Sequence, residues 1–167
     1  MPRLKLVTLP NVILRAKNSD LKFPLSRGHR ELIDQMIFDV KRFHGIGLAA
    51  PQIGHNLNLA VIALDMYELP AFPIINPKII SRSFKKTELE EGCLSLPGKF
   101  AMVKRPHKIK VKFFDMSGKL HKIKLDGLTA KVFQHEIDHL NGRLISDIWN
   151  EKTVHEPSKE ELKKIKK

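Results

Sequence analysis

Residues 134–139, QHEIDH, constrain the fold more than any other stretch, because an α-helix at this position would bring their polar side chains together in a defined arrangement. On an α-helix, residues four apart lie on one face, so His135 and His139 would project side by side, one turn apart. Glu136 would be rotated from them by about 100°, close enough to reach a water beside a metal without being a ligand. The pattern predicts a metal site, and a solvated helix with two titrating histidines is the alternative.

The apolar residues of the same segment indicate a packed helix. Asn141 and Gly142 would end it, since both residues are typical of helix C-termini. A packed helix favours the metal site over solvated histidines. Across residues 129–140 the apolar side chains recur with helical spacing, at Val132, Phe133, Ile137 and Leu140.

A catalytic metal needs a third protein ligand and one open position. The pattern HExxHxxGxxH would supply a histidine, and the chain matches it through Gly142, but Ile145 stands at the last position. Cys93, in EGCLSLPG at 91–98, offers a thiolate, a good ligand for zinc or ferrous iron; taken alone, this stretch is a turn or bulge with a buried cysteine. The other candidates are acidic residues near the C-terminus: Glu156, Glu160 and Glu161.

The stretch GIGLAAPQIG, residues 45–54, is rich in small residues that permit close approach of a ligand to the backbone. Its one polar side chain able to donate a hydrogen bond is Gln52. It lacks the full G-x-G-x-x-G pattern, so nucleotide binding is unsupported. The alternative is a plain loop between a helix and a strand.

The rest of the chain predicts a mixture of helices and strands. Apolar spacing predicts a helix over 31–43, and LNLAVIALD at 57–65 predicts a buried strand. Alternating residues at 108–114 and 122–125 predict a hairpin with lysines on its outer face. A capping-box pattern predicts a short basic helix at 158–167.

Length and composition favour one domain spanning residues 1–167. With Cys93 as its one cysteine, the chain forms no internal disulfide. No apolar run approaches the ~20 residues of a membrane helix. The N-terminus, MPRLKLVTLP, lacks the features of a signal peptide, so we expect a cytoplasmic protein.

The net charge of +12 predicts a polyanionic neighbour, and nucleic acid is the common one. Residues 99–124 hold most of this excess, with Asp115 as their only acid, and residues 163–167 read KKIKK. No nucleic-acid-binding motif accompanies these residues. Docking to an RNA-containing partner and a simply solvated surface both remain open.

Taken together, GIGLAAPQ, EGCLS and QHEIDHLNG resemble the three motifs of the peptide deformylase family, GxGLAAxQ, EGCLS and QHExDHLxG, in the same order. The similarity runs from about residue 10 to residue 148. The resemblance implies an α+β fold with antiparallel β-sheets surrounding a central helix that carries the HExxH motif. It also implies a monomeric metal-dependent hydrolase that removes the formyl group from N-formylmethionine on nascent polypeptides, with association to the ribosome through a basic surface or the C-terminal helix.

The resemblance assigns roles to individual residues. Cys93, His135 and His139 would bind one divalent transition metal, Fe²⁺ in the cell, although Zn²⁺, Ni²⁺ or Co²⁺ can occupy such a site. Glu136 would act as general base and then general acid. The oxyanion would be stabilised by the side-chain amide of Gln52 and the backbone N–H of Leu94.

Substrate binding follows from the same resemblance. The backbone of Ile46 and Gly47 would hold the peptide as an added strand. Phe100 would lie near the substrate cleft, and Asp138 would either pair with Arg105 or remain a surface carboxylate. The methionine pocket would be formed by Leu89, Gly92, Leu128 and Val132.

Two other functions compete with this interpretation. A metallopeptidase would share Glu136 and the two histidines but would need neither Cys93 nor GIGLAAPQ, and unformylated peptides would be its substrates. A non-catalytic basic ribosome-binding protein would bind no metal, and changing Glu136 would not weaken its binding to the ribosome.

Overall fold

The computed structural model describes residues 3–64 and 68–158. In these ranges the chain forms helices α1 (Arg27–Arg42) and α2 (Gly127–Leu140), with short 3₁₀ turns between elements. The strands are β1 (Gly47–Ala49), β2 (Leu59–Ile62), β3 (Phe72–Arg82), β4 (Lys86–Cys93), β5 (Leu96–Pro106), β6 (Lys108–Phe114) and β7 (Leu120–Asp126). None of the described helices has the length and hydropathy needed to cross a membrane.

The strands form two antiparallel units: a five-stranded sheet in the order β1-β2-β3-β6-β7, and a separate β4–β5 hairpin. Alternate residues of β2 enter different cores. Ala60 and Ile62 pack with α2, whereas Leu59 and Val61 pack with α1. Because successive strand residues face opposite sides of a sheet, the two helices cover opposite faces. The predicted α+β fold, with antiparallel strands around the central helix, is confirmed.

Helix α2 is buried along its polar residues as well as its apolar ones. Gln134, Glu136 and His139 are each less than 5% exposed. The Asn141 side-chain amide donates to the Ile137 carbonyl at 2.7 Å, which satisfies one of the last backbone acceptors of the helix. The predicted helix at 129–140 is therefore present, begins two residues earlier, and is the packed element that its spacing indicates.

The predicted helix at 31–43 corresponds to α1, which starts four residues earlier because Ser26 caps it; the Ser26 hydroxyl accepts from the His29 N–H at 3.1 Å. The β6–β7 hairpin also forms as predicted, with Ile109, Val111 and Phe113 facing the core. The strand predicted at 57–65 is shorter, Leu59–Ile62. The helix predicted at 158–167 lies outside the described residues beyond Ser158.

Asp39 fastens the N-terminal segment to α1. Its side chain is fully buried and accepts from the Leu4 N–H at 3.0 Å, from Gln35 Nε2 at 3.1 Å and from Arg42 Nε at 2.6 Å. Arg42 in turn donates to the Leu4 carbonyl at 2.9 Å. The Arg42 hydrogen bond is the main cause that lowers the pKa of Asp39, against the opposing effect of its burial.

We expect Asp39→Ala to lower the free energy of unfolding by about 2–3 kcal/mol at pH 7, because buried donors lose their acceptor. A carboxyl with a lowered pKa stabilises the fold above its unfolded pKa, near ~4, and the contribution disappears as pH falls through the folded value. Urea unfolding should therefore show the deficit shrinking below pH ~4. Asp34→Ala, at an exposed position of the same helix, is the control; an equal loss in both variants would contradict this role.

Candidate metal centre and its cleft

Three ligand-type side chains converge where α2 passes the end of β4. His135 and His139 direct their Nε2 atoms toward one another, 3.3 Å apart. The Cys93 Sγ lies 3.2 Å from His139 Nε2. All three donor atoms are within 4.8 Å of one another. The sequence left the third ligand open, and the structure brings Cys93, rather than Glu156, to the histidines; Glu160 and Glu161 lie outside the described residues.

The spacing of these donors matches what a metal requires. Around one tetrahedral ion with bonds of ~2.0–2.3 Å, donor atoms lie roughly 3.3–3.6 Å apart, close to the two separations above. A thiolate with two imidazoles is a donor set for zinc or ferrous iron. Burial lowers the pKa of His139 well below its usual value, which keeps the imidazole neutral, the form that binds metals.

The β4–β5 hairpin places Cys93 at the site. Gly92 pairs with Phe100, but the next residue, Cys93, pairs with Leu96, so the register shifts between them. Such a bulge re-aims the side chain that follows it. The turn or bulge that the sequence predicts in 91–98 is present as this register shift, but Cys93 is half-buried rather than buried, and its thiol lies against α2.

A buried carboxylate fixes the orientation of His135. Glu91 is 4% exposed, and its Oε2 lies 2.9 Å from His135 Nδ1. Arg105 donates to the same carboxylate from Nε at 2.6 Å and from Nη2 at 3.0 Å, and to Asp138 Oδ2 at 2.7 Å. Burial alone would raise the pKa of Glu91, but hydrogen bonds from His135 and Arg105 lower it to about 2. An ionised Glu91 accepts from His135 Nδ1 and so turns Nε2 toward the other two donor atoms, the position from which it would bind a metal.

Sequence reasoning missed Glu91, although it did consider a pairing of Asp138 with Arg105, which is present. The available signal was the spacing of Glu91 and Cys93, two apart on one strand and therefore on one face. The partners of Glu91 are distant in sequence, and nothing in EGCLS points to them.

Glu136 lies beside the three ligands and is 3% exposed. Its Oε2 is buried without a hydrogen-bond partner among the residues that the structure describes. A Cβ at Gly47 would come within 2.3 Å of Glu136 Oε1, so the carboxylate rests directly on the β1 backbone. Burial is the largest cause that raises the pKa of Glu136, to about 7. A carboxyl with that pKa can both accept and release a proton near neutrality.

Gln52, 1% exposed, is held at both ends of its amide. Its Oε1 accepts from the Ala49 N–H at 2.9 Å, and its Nε2 donates to Ser95 Oγ at 3.3 Å. The same Nε2 lies 3.8 Å from Cys93 Sγ. The amide N–H groups are therefore directed toward the metal-ligand cluster.

Among the described residues, β1 pairs with β2 alone and is an edge strand. The Ile46 carbonyl accepts from the Ala63 N–H at 3.0 Å, on the β2 side. Because backbone groups alternate in direction along an antiparallel strand, the N–H and C=O of Gly47 face the open edge. The expectation that Ile46 and Gly47 both offer backbone groups is corrected for the Ile46 carbonyl, which is already paired.

A cleft of about 490 Å³ opens over this cluster, between β1, the β4–β5 hairpin and α2. Phe100 forms part of its wall, as predicted, and its ring would be 2.6 Å from a Cβ at Gly92. Lys99 and Lys131 also line the cleft, and no sequence pattern had marked them. The predicted site residues that line it are Ile46, Gly47, Gln52, Gly92, Cys93, Leu94, Val132, His135 and Glu136.

Two residues of the predicted methionine pocket neighbour residues of the cleft wall. Leu128 lies one helical turn before Val132 and packs against the core shared with α2. Leu89 is two residues before Glu91 on the same strand and is 37% exposed. Their place in the methionine pocket stays a prediction.

Known proteins share both sequence and fold with this chain. The family model for polypeptide deformylase matches residues 3–155. A peptide deformylase of Prochlorococcus marinus is 43% identical over 162 residues, 95% of this chain and 79% of that protein. The crystal structure of a Synechococcus elongatus peptide deformylase in complex with actinonin superposes with a TM-score of 0.85 at 37% identity, covering 91% of this chain and 83% of that one. The Thermotoga maritima peptide deformylase gives 0.84 at 32% identity, covering 90% and 99%.

We expect Glu91→Gln to weaken metal binding about 10- to 100-fold, because a neutral amide no longer fixes the proton and the ring orientation of His135. Competition with a chelator, followed by metal analysis, measures the affinity. Glu88→Gln, an exposed change on the same strand, is the control. Equal metal affinity in the two variants would show that Glu91 does not position the ligand.

Proposed function

The chain belongs to the polypeptide deformylase family, and on that premise we propose which of its residues carry the reaction. It is a metal-dependent hydrolase that removes the formyl group from N-formylmethionine at the N-terminus of nascent polypeptides. The observation that carries the residue assignment is the convergence of Cys93, His135 and His139 beside the buried carboxyl of Glu136. All of these except His139 line one cleft.

The metal ligands in this proposal are Cys93, His135 and His139, and Fe²⁺ is the ion in the cell, with Zn²⁺, Ni²⁺ or Co²⁺ able to replace it. When bound, such an ion supplies Lewis acidity, which polarises a carbonyl and lowers the pKa of water toward ~7. The donor set supports this choice, because a thiolate and two neutral imidazoles suit late first-row metals.

Glu136 moves the proton. It takes a proton from the attacking water and then delivers it to the amide nitrogen as the C–N bond breaks, so formate and a free peptide amine leave. Its burial and its pKa of about 7 support both halves of this role. Its contact with Gly47 fixes the carboxylate against the strand that would hold the substrate.

Gln52 and Leu94 stabilise the negative charge that develops on the formyl oxygen. The Gln52 amide is held by Ala49 and Ser95 before the substrate arrives, so little reorganisation is needed. The backbone N–H of Leu94, the residue after Cys93, is the second donor. Removing one such donor typically raises the barrier by about 3 kcal/mol.

The peptide binds along β1 as an added strand. Gly47 offers its N–H and C=O at the open edge, and main-chain hydrogen bonds of this kind accept any sequence. Val132 and the Gly92 backbone, covered by Phe100, form the apolar wall for the methionine side chain. A narrow site lined by small residues would exclude the methyl of an acetyl group, whereas a formyl carbon carries only a hydrogen at that position.

Both competing functions lose their support. A metallopeptidase with a downstream glutamate ligand would leave Cys93 without a role, yet Cys93 lies 3.2 Å from His139. A non-catalytic basic protein would have no need to bury Glu136 beside two histidines. We further propose a monomer that works in the cytoplasm and meets the ribosome through its basic surface or its C-terminal segment, residues 158–167.

We expect Glu136→Gln to retain its metal and to lose deformylation by about 10²- to 10⁴-fold, since an amide of the same shape cannot move a proton. Hydrolysis of a formyl-Met peptide and metal analysis of the same sample are the two measurements. Glu88→Gln serves as the control for loss of one carboxylate. Turnover near the wild-type rate would exclude Glu136 as the proton carrier.

We expect the iron-loaded protein to lose activity in air and the nickel-loaded protein to keep it. Ferrous iron and the Cys93 thiolate are both open to oxidation, and Cys93 is only partly buried. Activity is followed over time after matched aerobic and anaerobic incubations. An iron-loaded protein that is as stable in air as under nitrogen would argue against Fe²⁺ as the native ion.

A further inference from the structure

Five lysines form a continuous surface on the outer side of the sheet, far from the cleft. We name this surface the lysine face. It lies on the part of β3, β6 and β7 that neither helix covers. Its members are Lys78, Lys110, Lys112, Lys122 and Lys124.

The strand register sets these lysines directly opposite one another. Lys112 is paired with Lys78 on one side and with Lys122 on the other. Lys110 is paired with Lys124. Neighbouring strands lie about 4.8 Å apart and alternate residues about 7 Å apart, so the ammonium groups are arranged as a grid. Like charges directly opposite each other destabilise a sheet, so the folded chain retains this grid at a cost.

Nothing on these strands neutralises the grid. Across β3, β6 and β7 the only acidic residue is Asp126, which stands opposite Lys108 at one end. In the part of the chain that the structure describes, no ion pair involves any member of the lysine face. The charge therefore remains available to an external polyanion.

The lysine face continues into a depression of about 510 Å³. Lys110 and Lys124 belong to both surfaces, Arg82 and Lys108 add two further cations, and Asp126 adds one acid. Ser81, also in the lining, adds a hydroxyl group able to donate to an anion, whereas the Ser83 hydroxyl already donates to the Lys85 carbonyl. Phosphate oxygens accept hydrogen bonds from such donors, and contacts of this kind do not depend on the base sequence.

The sheet order separates this surface from the catalytic cleft. β1 borders the cleft at one edge of the sheet, and β7 is the opposite edge strand, with β2, β3 and β6 between them. The lysine face begins two strand spacings from β1, at β3, and extends to four, at β7, which is about 10–19 Å. A partner held on the lysine face therefore leaves the β1 edge open to a peptide.

We propose that the lysine face binds the phosphate backbone of duplex RNA. No aromatic side chain stands among the five lysines, and Phe114, the next residue on this side of β6, packs against Phe23, which favours backbone contacts over stacking of unpaired bases. The exposed large apolar side chains around the face are Ile80 on β3, Leu120 at the start of β7 and Phe84 beyond the end of β3. Leu120 and Phe84 lie at opposite ends of the strands, so they form no continuous apolar patch for insertion into a lipid surface. The proposal requires nothing of the catalytic assignment.

The test measures binding of a short fluorescent RNA duplex to the full chain by anisotropy at several salt concentrations. The first variant changes four face residues, Lys110→Gln, Lys112→Gln, Lys122→Gln and Lys124→Gln. A control with the same net charge changes four exposed lysines elsewhere, Lys5→Gln, Lys17→Gln, Lys104→Gln and Lys152→Gln. A third protein ends at Ser158, which removes the basic C-terminal segment.

We expect the face variant to bind at least about tenfold more weakly, with a salt slope smaller by about three to four, and the control to stay within about threefold of wild type. If both variants bound RNA equally weakly, the effect would come from net charge alone, and the proposal would be overturned. Loss of RNA binding in the truncated protein alone would overturn it in favour of the C-terminal segment. Binding to anionic vesicles, with none to RNA, would also overturn it.

Thermal unfolding and peptide turnover complete the test. Because opposed lysines repel, the face variant should unfold at a temperature no lower than the control, and a lower temperature would contradict the strained grid. Both variants should deformylate a short formyl-Met peptide at the wild-type rate, since no changed residue lines the cleft. A wild-type chain that binds RNA but lacks turnover would refute the proposed function and leave this inference standing.

Discussion

The buried carboxylate of Glu91 is the interaction on which the catalytic geometry depends. It accepts two hydrogen bonds from Arg105 within the β4–β5 hairpin and one from His135 on α2. The hairpin that supplies Cys93 is thereby joined to the helix that supplies both histidines. Removing one partner from such a buried pair costs about 3–5 kcal/mol, because the other charge is left unpaired. The same bonds that align the ligands therefore join the two units of the fold.

This arrangement explains how a helix with so many polar residues can be central. The apolar side of α2 packs on the sheet through residues such as Phe133 and Ile137. Its other side largely buries Glu136, His135 and His139, which is unfavourable unless these polar groups have partners. Glu91 is the partner of His135, and a bound cation would be the partner of both imidazole nitrogens that face the cluster and would offset the charge of Glu136. The raised pKa of Glu136 is the consequence of its burial in this setting, and it is the property that proton transfer needs.

Much of this could be predicted from the sequence where the information is local. Helical spacing identified α2 and the pair His135 and His139, and alternation identified the β6–β7 hairpin. β4 escaped notice because KTELEEGC carries only Leu89 and Cys93 as apolar residues, too few to show an alternation, and it forms a strand by pairing with β5. The role of Glu91 depends on Arg105 and His135, 14 and 44 residues away in the chain. The assignment of Leu89 and Leu128 to the methionine pocket rests on the resemblance alone and stays a prediction.

The central claim is that Cys93 completes a metal site with the two histidines of α2. The most direct test is metal analysis of anaerobically purified wild-type and Cys93→Ala proteins, with formyl-Met-peptide hydrolysis measured on the same samples and circular dichroism to show that both are folded. We predict close to one transition-metal ion per wild-type chain and loss of both metal and turnover in a folded Cys93→Ala chain. A folded variant that keeps its metal and its activity would contradict the account.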